Sequence, residues 1–254
     1  MMARRDRSPR PDRTNSNPRR GVLGTAIGVT GELLLTAGAL LLLFLTWQLW
    51  WTDVVVEKEQ TQIITQLDKD WGQVDTQKIA PAQEGEPPVP ALAGMDKVWG
   101  TMHVPAFDRV RFPLAEGVSL ERVLNVKGVG HYPSTALPGQ VGNFSVAGHR
   151  NTYGRPFEDI ARLQPGDPIV VETKDAFYVY QVTGHRVVQP DDNHVIDANP
   201  AEPGANPTRR MLTLTACHPM YSAAERYIVH AEFSYWTKRS DGIPEALVGQ
   251  EGGN

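Results

Sequence analysis

Hydrophobic positions fall into two regimes along the chain. The first is an unbroken apolar run, LLLTAGALLLLFLTWQLWW over residues 33–51, which contains no charge. Its length approaches the roughly 20 residues that cross a hydrocarbon core. The segment before it, 21–31, is also mostly apolar and is set off from the run by Glu32. Trp47, Trp50 and Trp51 gather at the far end, where an interfacial aromatic belt would lie. A secretory signal would have a shorter core and a small-residue cleavage site directly after it, so residues 21–51 read as a transmembrane signal anchor. Beyond it, Val56, Ile63, Ile64 and Leu67 recur at loosely helical spacing and predict a short juxtamembrane helix. The stretch DTQKIAPAQEGEPPVPALAG, 75–94, carries no core pattern and reads as an extended, Pro-rich spacer that holds the next domain off the membrane. Residues 52–96 are thus assigned to a helix and a linker.

The second regime is short. VWGTMHVP, RVRFPLAEG, GNFSVAGH, PIVVET, AFYVYQVTGHRVV, MLTLTAC and RYIVHAEF have strand length and are enriched in β-branched and aromatic residues. Pro, Gly, Asn and Asp separate them, and PIVVETKDAFYVYQV predicts a hairpin turning at Lys174 and Asp175. Only PFEDIARL, 156–163, looks helical. This pattern predicts one all-β barrel or sandwich over 97–236, followed by a disordered tail over 237–254.

Charge separates the two ends of the chain. The 254 residues carry 25 basic and 29 acidic side chains. Seven of the basic ones, Arg4, Arg5, Arg7, Arg10, Arg13, Arg19 and Arg20, precede residue 21 and face only Asp6 and Asp12 there, which leaves 18 basic against 27 acidic groups in the remainder. An acidic body argues against sequence-independent nucleic-acid binding, which depends on neutralising phosphates. A basic tail next to an apolar run points to residues 1–20 in the cytoplasm and everything after Trp51 outside.

That topology gives the single cysteine, Cys217, its interest. Outside the cell paired thiols become disulfides, so a solitary one is buried and inert, paired between molecules, or reactive. Cys217 ends the strand-like run MLTLTAC, where a rigid scaffold presents groups at its rim. A nucleophilic thiol needs a partner to form the thiolate and donors for an oxyanion. Arg226, nine positions on and opening the next strand, could be the donor or an ordinary partner of Glu225. Of the seven histidines, His149 stands out because it closes NFSVAGH with Gly148 before it, whereas His218, adjacent to the thiol, points to the opposite strand face. His230 reads as a packed strand residue and His131, His185 and His194 as loop or strand-end residues, and no set of the seven, His103 included, has zinc-like spacing. No cofactor is expected, and only a carboxylate-bound calcium ion stays compatible with the composition.

The run Thr213-Leu214-Thr215-Ala216-Cys217, with Arg226 downstream and Val146-Ala147-Gly148-His149 upstream, resembles the signature of the sortases, TLxTC followed by a strand-borne Arg. The CHP continuation, the anchor ending in QLWW and the GHYPST segment resemble class E, from high-GC Gram-positive bacteria. The resemblance implies an eight-stranded β-barrel and cleavage of an LAxTG-like or LPxTG-like sorting signal between Thr and Gly. It further implies transfer of a secreted protein to a cell-wall amine. Carried over by position, Cys217 becomes the nucleophile, His149 the general acid and base, and Arg226 the oxyanion or substrate-orienting group. Tyr132, Thr215 and Ala216 become substrate-binding residues. Ala216 stands where the family has Thr, which puts the holding of substrate in question. The rival readings are an L,D-transpeptidase, whose Ser-x-Gly-Cys core is not present around Cys217, and a wall-binding β-domain that is non-catalytic or only hydrolyses.

Overall fold

The computed structural model describes residues 21–108 and 111–249, without the side chains of 48–52. The basic tail, the side chains of Trp50 and Trp51, and the end of the C-terminal segment lie outside what is described. One helix, α1 (Val22–Trp71), takes in both the apolar run and the juxtamembrane pattern, so the second helix expected from the sequence is a continuation of the first. Its part Val22–Trp47, with a mean hydropathy of 2.0, is a candidate membrane span.

Eight strands follow: β1 (Val98–His103), β2 (Arg111–Glu116), β3 (Val129–His131), β4 (Gly142–Ala147), β5 (Pro168–Glu172), β6 (Ala176–Val188), β7 (Arg210–His218) and β8 (Glu225–Lys238). They close into a barrel in the order β1-β2-β3-β4-β7-β8-β6-β5. Closure removes the open edges that a sheet of this size would otherwise expose. The predicted strands are all present, β5 and β6 form the hairpin expected at Lys174-Asp175, and the three-residue β3 is the addition. Two neighbours are parallel, β2 with β3 and β4 with β7, while the remaining pairs are antiparallel.

Alternation sends one set of side chains inward. Phe144 and Val146 of β4, Leu212, Leu214 and Ala216 of β7, and Tyr227, Val229 and Ala231 of β8 meet in the barrel core. Ser145 and Ala147, Thr213, Thr215 and Cys217, and Arg226, Ile228 and His230 therefore face outward. The outer face of β4 is itself covered. Asn143 Nδ2 donates to the carbonyls of Val195 and Asp197, in the long β6–β7 connection, at 3.2 and 3.0 Å.

Three expectations are corrected. PFEDIARL forms a single 3₁₀ turn, Ile160–Arg162, because Phe157, Ile160 and Leu163 are buried at a spacing of three, the period of a 3₁₀ face. The Pro-rich spacer is extended but is not free. It straps the barrel: Ile243 N donates to the Lys78 carbonyl (2.9 Å), Gln83 N to that of Trp236 (2.9 Å), and the Tyr178 hydroxyl to that of Pro88 (2.6 Å). The tail over 237–254 is folded as far as it is described. Ile243 and Leu247 pack with Val170, Phe177 and Val179 in a second apolar cluster on the barrel. In a scan for periodicity these isolated apolar residues, set among Gly and Pro, give no signal.

Arg239, in that tail, reaches a buried ionic hub at Glu172. The carboxylate accepts from Arg239 Nε (2.8 Å), Arg111 (2.9 Å), the Thr101 hydroxyl (2.9 Å) and His103 Nε2 (2.8 Å). Arg111 also grips Asp68 of α1 through two bonds of 2.8–2.9 Å, and Arg239 donates to the Trp71 carbonyl. The hub thus fastens the end of α1, strands β1, β2 and β5, and the tail. Burial lowers the pKa of His103 and keeps it neutral, so its contact is a hydrogen bond from Nε2–H. Burial opposes the Glu172 charge, but the bond from His103 and the Arg111 charge outweigh it and hold the carboxyl well below its usual range. The contribution of Glu172 is accordingly present above the ordinary carboxyl pKa of 4.5 and is lost as pH falls below it. Glu172→Ala, which leaves the buried Arg239 without a carboxylate and Arg111 with Asp68 alone, is expected to cost roughly 3–5 kcal/mol in urea unfolding. Glu172→Gln is expected to flatten the loss of stability below that pH.

Candidate active site

Three chain segments bring the candidate residues to one end of the barrel's outer face. On β7 and β8 Cys217 lies directly opposite Arg226 in the antiparallel register, with Thr215 opposite Ile228 one outward pair behind. Facing side chains in such pairs start about 4.5–5.5 Å apart at Cβ. On the other side of β7, β4 runs parallel, with Ala147 level with Thr215 and Gly148 N donating to the Thr215 carbonyl at 3.1 Å. β4 ends at Ala147, so the chain leaves the sheet toward His149 at the rim where β7 carries Cys217. Cys217 thus has Arg226 across from it on β8 and the end of β4, which leads into His149, on its other side, and its free thiol is partly exposed.

Local packing fixes the turn at His149. A Cβ on Gly148 would lie 2.7 Å from the Phe157 ring, so only glycine lets the chain pass this core aromatic. Phe157 N then donates to the His149 carbonyl at 2.9 Å. The imidazole is half-buried, lies 5.2 Å from the Tyr153 ring centroid, and has Nε2 2.7 Å from Asn125 Oδ1. Burial lowers its pKa and favours the neutral ring.

Arg226 has no carboxylate partner among the described residues. One guanidinium nitrogen donates to the carbonyls of Ala223 and Glu225, both at 3.0 Å, which holds the group in the β7–β8 connection. The ordinary ion pair with Glu225 that the sequence left open does not form.

Tyr132 follows β3, its N–H donating to the Ser145 carbonyl at 2.9 Å, and packs on an outer apolar patch with Ala115, Leu124 and Ala147. Burial raises its phenol pKa, and the hydroxyl is within electrostatic reach of Arg226 and Cys217 and beside Thr215. The Tyr132–Thr215 approach falls outside hydrogen-bonding geometry, and the buried Thr215 Oγ1 has no partner. A buried hydroxyl without a partner, two residues from the thiol on the same strand face, leaves an unused donor and acceptor there.

Ala216 is a correction. Its side chain is 2% exposed and sits in the core with Leu214 and Tyr227, on the face opposite Cys217. It meets the barrel interior and not a ligand in the groove, because neighbours on a strand point to opposite sides. The same rule turns His218 inward, against Tyr227 at 5.5 Å.

Two residues near the site carry no signal that sequence reasoning used. Arg150 is buried, donates to the Cys217 carbonyl (3.4 Å) and to His218 Nδ1 (3.0 Å), and lies over the Tyr227 ring at 5.4 Å. It ties the end of β4 to the end of β7, and its only advance sign is that it follows His149. Asn125 is 24 positions from His149 in a polar loop and has no such sign. The remaining histidines serve elsewhere: His131 is buried against Glu116 at 2.8 Å, and His230 is bound to Thr213 Oγ1 at 2.9 Å. His230, with its pKa lowered to about 4 by burial, stays neutral. His194 is exposed beside Asp197, and His185 stacks on Tyr227.

Residues 102–234 match the family model described as the sortase domain. The chain is 38% identical over 236 residues to Sortase SrtE1 of Streptomyces coelicolor, covering 90% of this chain and 63% of that relative. It is 34% identical over 230 residues to Sortase SrtE2 of the same organism, covering 87% of each. Among solved structures, the SrtA sortase from Actinomyces oris is 40% identical with a TM-score of 0.63, over 68% of this chain and all of that one. Sortase E1 from S. coelicolor, solved with a tripeptide in its active site, is 40% identical with a TM-score of 0.56, over 62% of this chain and all of that one.

Gly148→Ala is expected to cost about 1–3 kcal/mol, because the new methyl overlaps a core ring. Thr215→Val, which removes a hydroxyl that bonds nothing, is expected to leave the thermal midpoint unchanged or slightly higher. Thermal unfolding of the two variants side by side checks both.

Proposed function

The chain belongs to the sortase family, whose members are cysteine transpeptidases, and on that premise we propose that it is a membrane-anchored enzyme that cleaves a sorting signal of LAxTG or LPxTG type between Thr and Gly. It then transfers the secreted protein to a cell-wall amine. The observation that carries this reading is the opposition of Cys217 and Arg226 on the outer barrel face, at the rim where β4, on the other side of β7, leads into His149.

The roles follow from the chemistry of the side chains. A minor population in which the Cys217 proton has moved to His149 supplies a thiolate beside an imidazolium. The thiolate attacks the Thr carbonyl, forming a C–S bond. Negative charge gathers on the carbonyl oxygen, where Arg226, permanently charged and without a carboxylate of its own, serves as donor. Collapse breaks the C–N bond, and His149 gives its proton to the leaving Gly amine, which leaves a thioester on Cys217. The incoming wall amine attacks that thioester, His149 takes the excess proton, and the amide product releases the thiol.

Tyr132 and Thr215 line the path of the signal beside the thiol, with the Thr215 hydroxyl as a hydrogen-bonding partner for its backbone. Ala216 takes no part in binding. The candidate span in α1 anchors the enzyme once, with the Arg-rich tail in the cytoplasm and the barrel outside, next to secreted substrates.

Incubation of the full chain in detergent with an LAxTG peptide, with and without a small amine, tests the reading by mass spectrometry. The expected products are peptide cut after Thr and, with amine, the Thr-amine conjugate, both absent with Cys217→Ala. Cleavage that persists in Cys217→Ala, or an intact peptide with the wild-type enzyme, contradicts it.

A further inference from the structure

The ring nitrogens of His149 are not equivalent. Nε2 lies 2.7 Å from Asn125 Oδ1, and an amide oxygen only accepts, so the proton of this bond belongs to the imidazole. In the neutral ring the lone pair is therefore on Nδ1. Asn125 is itself fixed. It ends the single π-helical turn Leu120–Leu124, with its backbone N–H bonded to the Leu120 carbonyl at 2.9 Å. π turns in proteins gather at functional positions. Two residues of that turn, Val123 and Leu124, are buried in the outer apolar patch with Ala147 and Tyr132. Three residues on, Gly128 is closed in by the Gln60 side chain of α1, which a Cβ there would meet at 3.2 Å. The segment carrying Asn125 is thus braced by the helix on one side and the outer apolar patch on the other.

We propose that Asn125 is the positioning residue of His149: it holds Nε2 in the protonated form, fixes the plane of the ring, and leaves Nδ1 as the nitrogen that exchanges protons with the Cys217 thiol and the leaving and entering amines. This rests on the acid–base role given to His149 above. The bond acts in both protonation states. It keeps the neutral ring in one tautomer, and it strengthens when the ring is charged, since charge-assisted hydrogen bonds are the stronger kind. Burial lowers the His149 pKa, and no neighbouring charge opposes it. The charged or titratable groups on the surrounding elements are Cys217 on β7, Arg226 on β8, Tyr132 after β3, Glu121, Arg122 and Lys127 on the segment that carries Asn125, Arg150, Tyr153, Arg155 and Glu158 in its own loop, and Asp53 of α1, bonded to that loop at Gly154 N. Asp53 and Glu158 are paired with Arg155, at 3.3 and 2.7 Å, and among the described residues no carboxylate is bonded to the His149 ring.

The test uses the full chain in detergent and the variants Asn125→Ala, Asn125→Asp and His149→Ala. Asn125 is half-exposed and outside the core, so the thermal midpoints are expected to stay close to wild type. Asn125→Ala is expected to lower kcat for the sorting peptide roughly 10–100-fold with KM nearly unchanged, since it touches the base and not the substrate. With labelled histidine followed by NMR, the His149 titration moves to lower pH in Asn125→Ala. In Asn125→Asp, which keeps the acceptor and adds a charge, it moves above wild type and activity is largely restored. Wild-type kcat and titration in Asn125→Ala, or an aspartate that neither raises the titration nor restores turnover, overturns the assignment. If His149→Ala is itself active, the acid–base reading beneath it fails, and the proposal fails with it. If His149→Ala is inactive while Asn125→Ala behaves as wild type, only the assignment of Asn125 is lost.

Discussion

The parallel pairing of β4 with β7 is the constraint on which the site depends. A parallel neighbour delivers its C-terminal end to the same rim, so β4, ending at Ala147, leads into His149 at the rim that carries Cys217. The antiparallel neighbour β8 instead starts at that rim and brings Arg226 with its second residue. One strand with a parallel partner on one side and an antiparallel partner on the other therefore has the chain to His149 leaving on one flank of its last outward residue and Arg226 on the other. Closing the sheet into a barrel makes the arrangement rigid, because the inward half of the same three strands is locked in a common core.

The outward face is built differently from the inward one. Inside, Phe144, Leu214 and Tyr227 fill space. Outside, polar groups are spaced between apolar ones: Thr215 without a bond, Tyr132 on its patch, and His149 bound to Asn125. Buried polar atoms without a hydrogen-bond partner lie both beside the thiol, at Thr215 Oγ1 and Arg150 Nε, and away from it, at the Trp99 and Trp236 indoles and Thr237 Oγ1. Ionic groups further from the thiol are paired, as with Glu172 and its two arginines or His131 with Glu116, and there they hold the barrel, its strap and its tail together.

How much of this was legible in the sequence varies with the kind of signal. Strand-length runs with alternating burial were readable because a half-buried strand repeats every two residues, and the same period separated Cys217 from His218. It also carried the answer for Ala216: one residue from an outward cysteine, its side chain had to turn inward, although its place in the motif drew attention to it as a groove residue. The strap and the tail were not readable. Their anchors, Ile243, Leu247 and Arg239, are single residues whose burial depends on partners 60 or more positions away, Phe177 and Glu172 among them. Asn125 belongs with these, since its meaning lies in a bond across 24 residues of chain. Arg150 is intermediate, adjacent to a conspicuous histidine but informative only once β4 and β7 are side by side.

The central claim is that Cys217, His149 and Arg226 act together on one carbonyl at the outer face of the barrel. A crystal structure of the enzyme acylated on Cys217 by a peptide analogue that mimics the Thr thioester tests this most directly. The account predicts that the carbonyl oxygen lies within hydrogen-bonding distance of the Arg226 guanidinium, that the His149 ring is on the leaving-group side, and that the peptide runs past Tyr132 and Thr215. An acyl chain directed away from these residues, with Arg226 still turned to the carbonyls of Ala223 and Glu225, would contradict it.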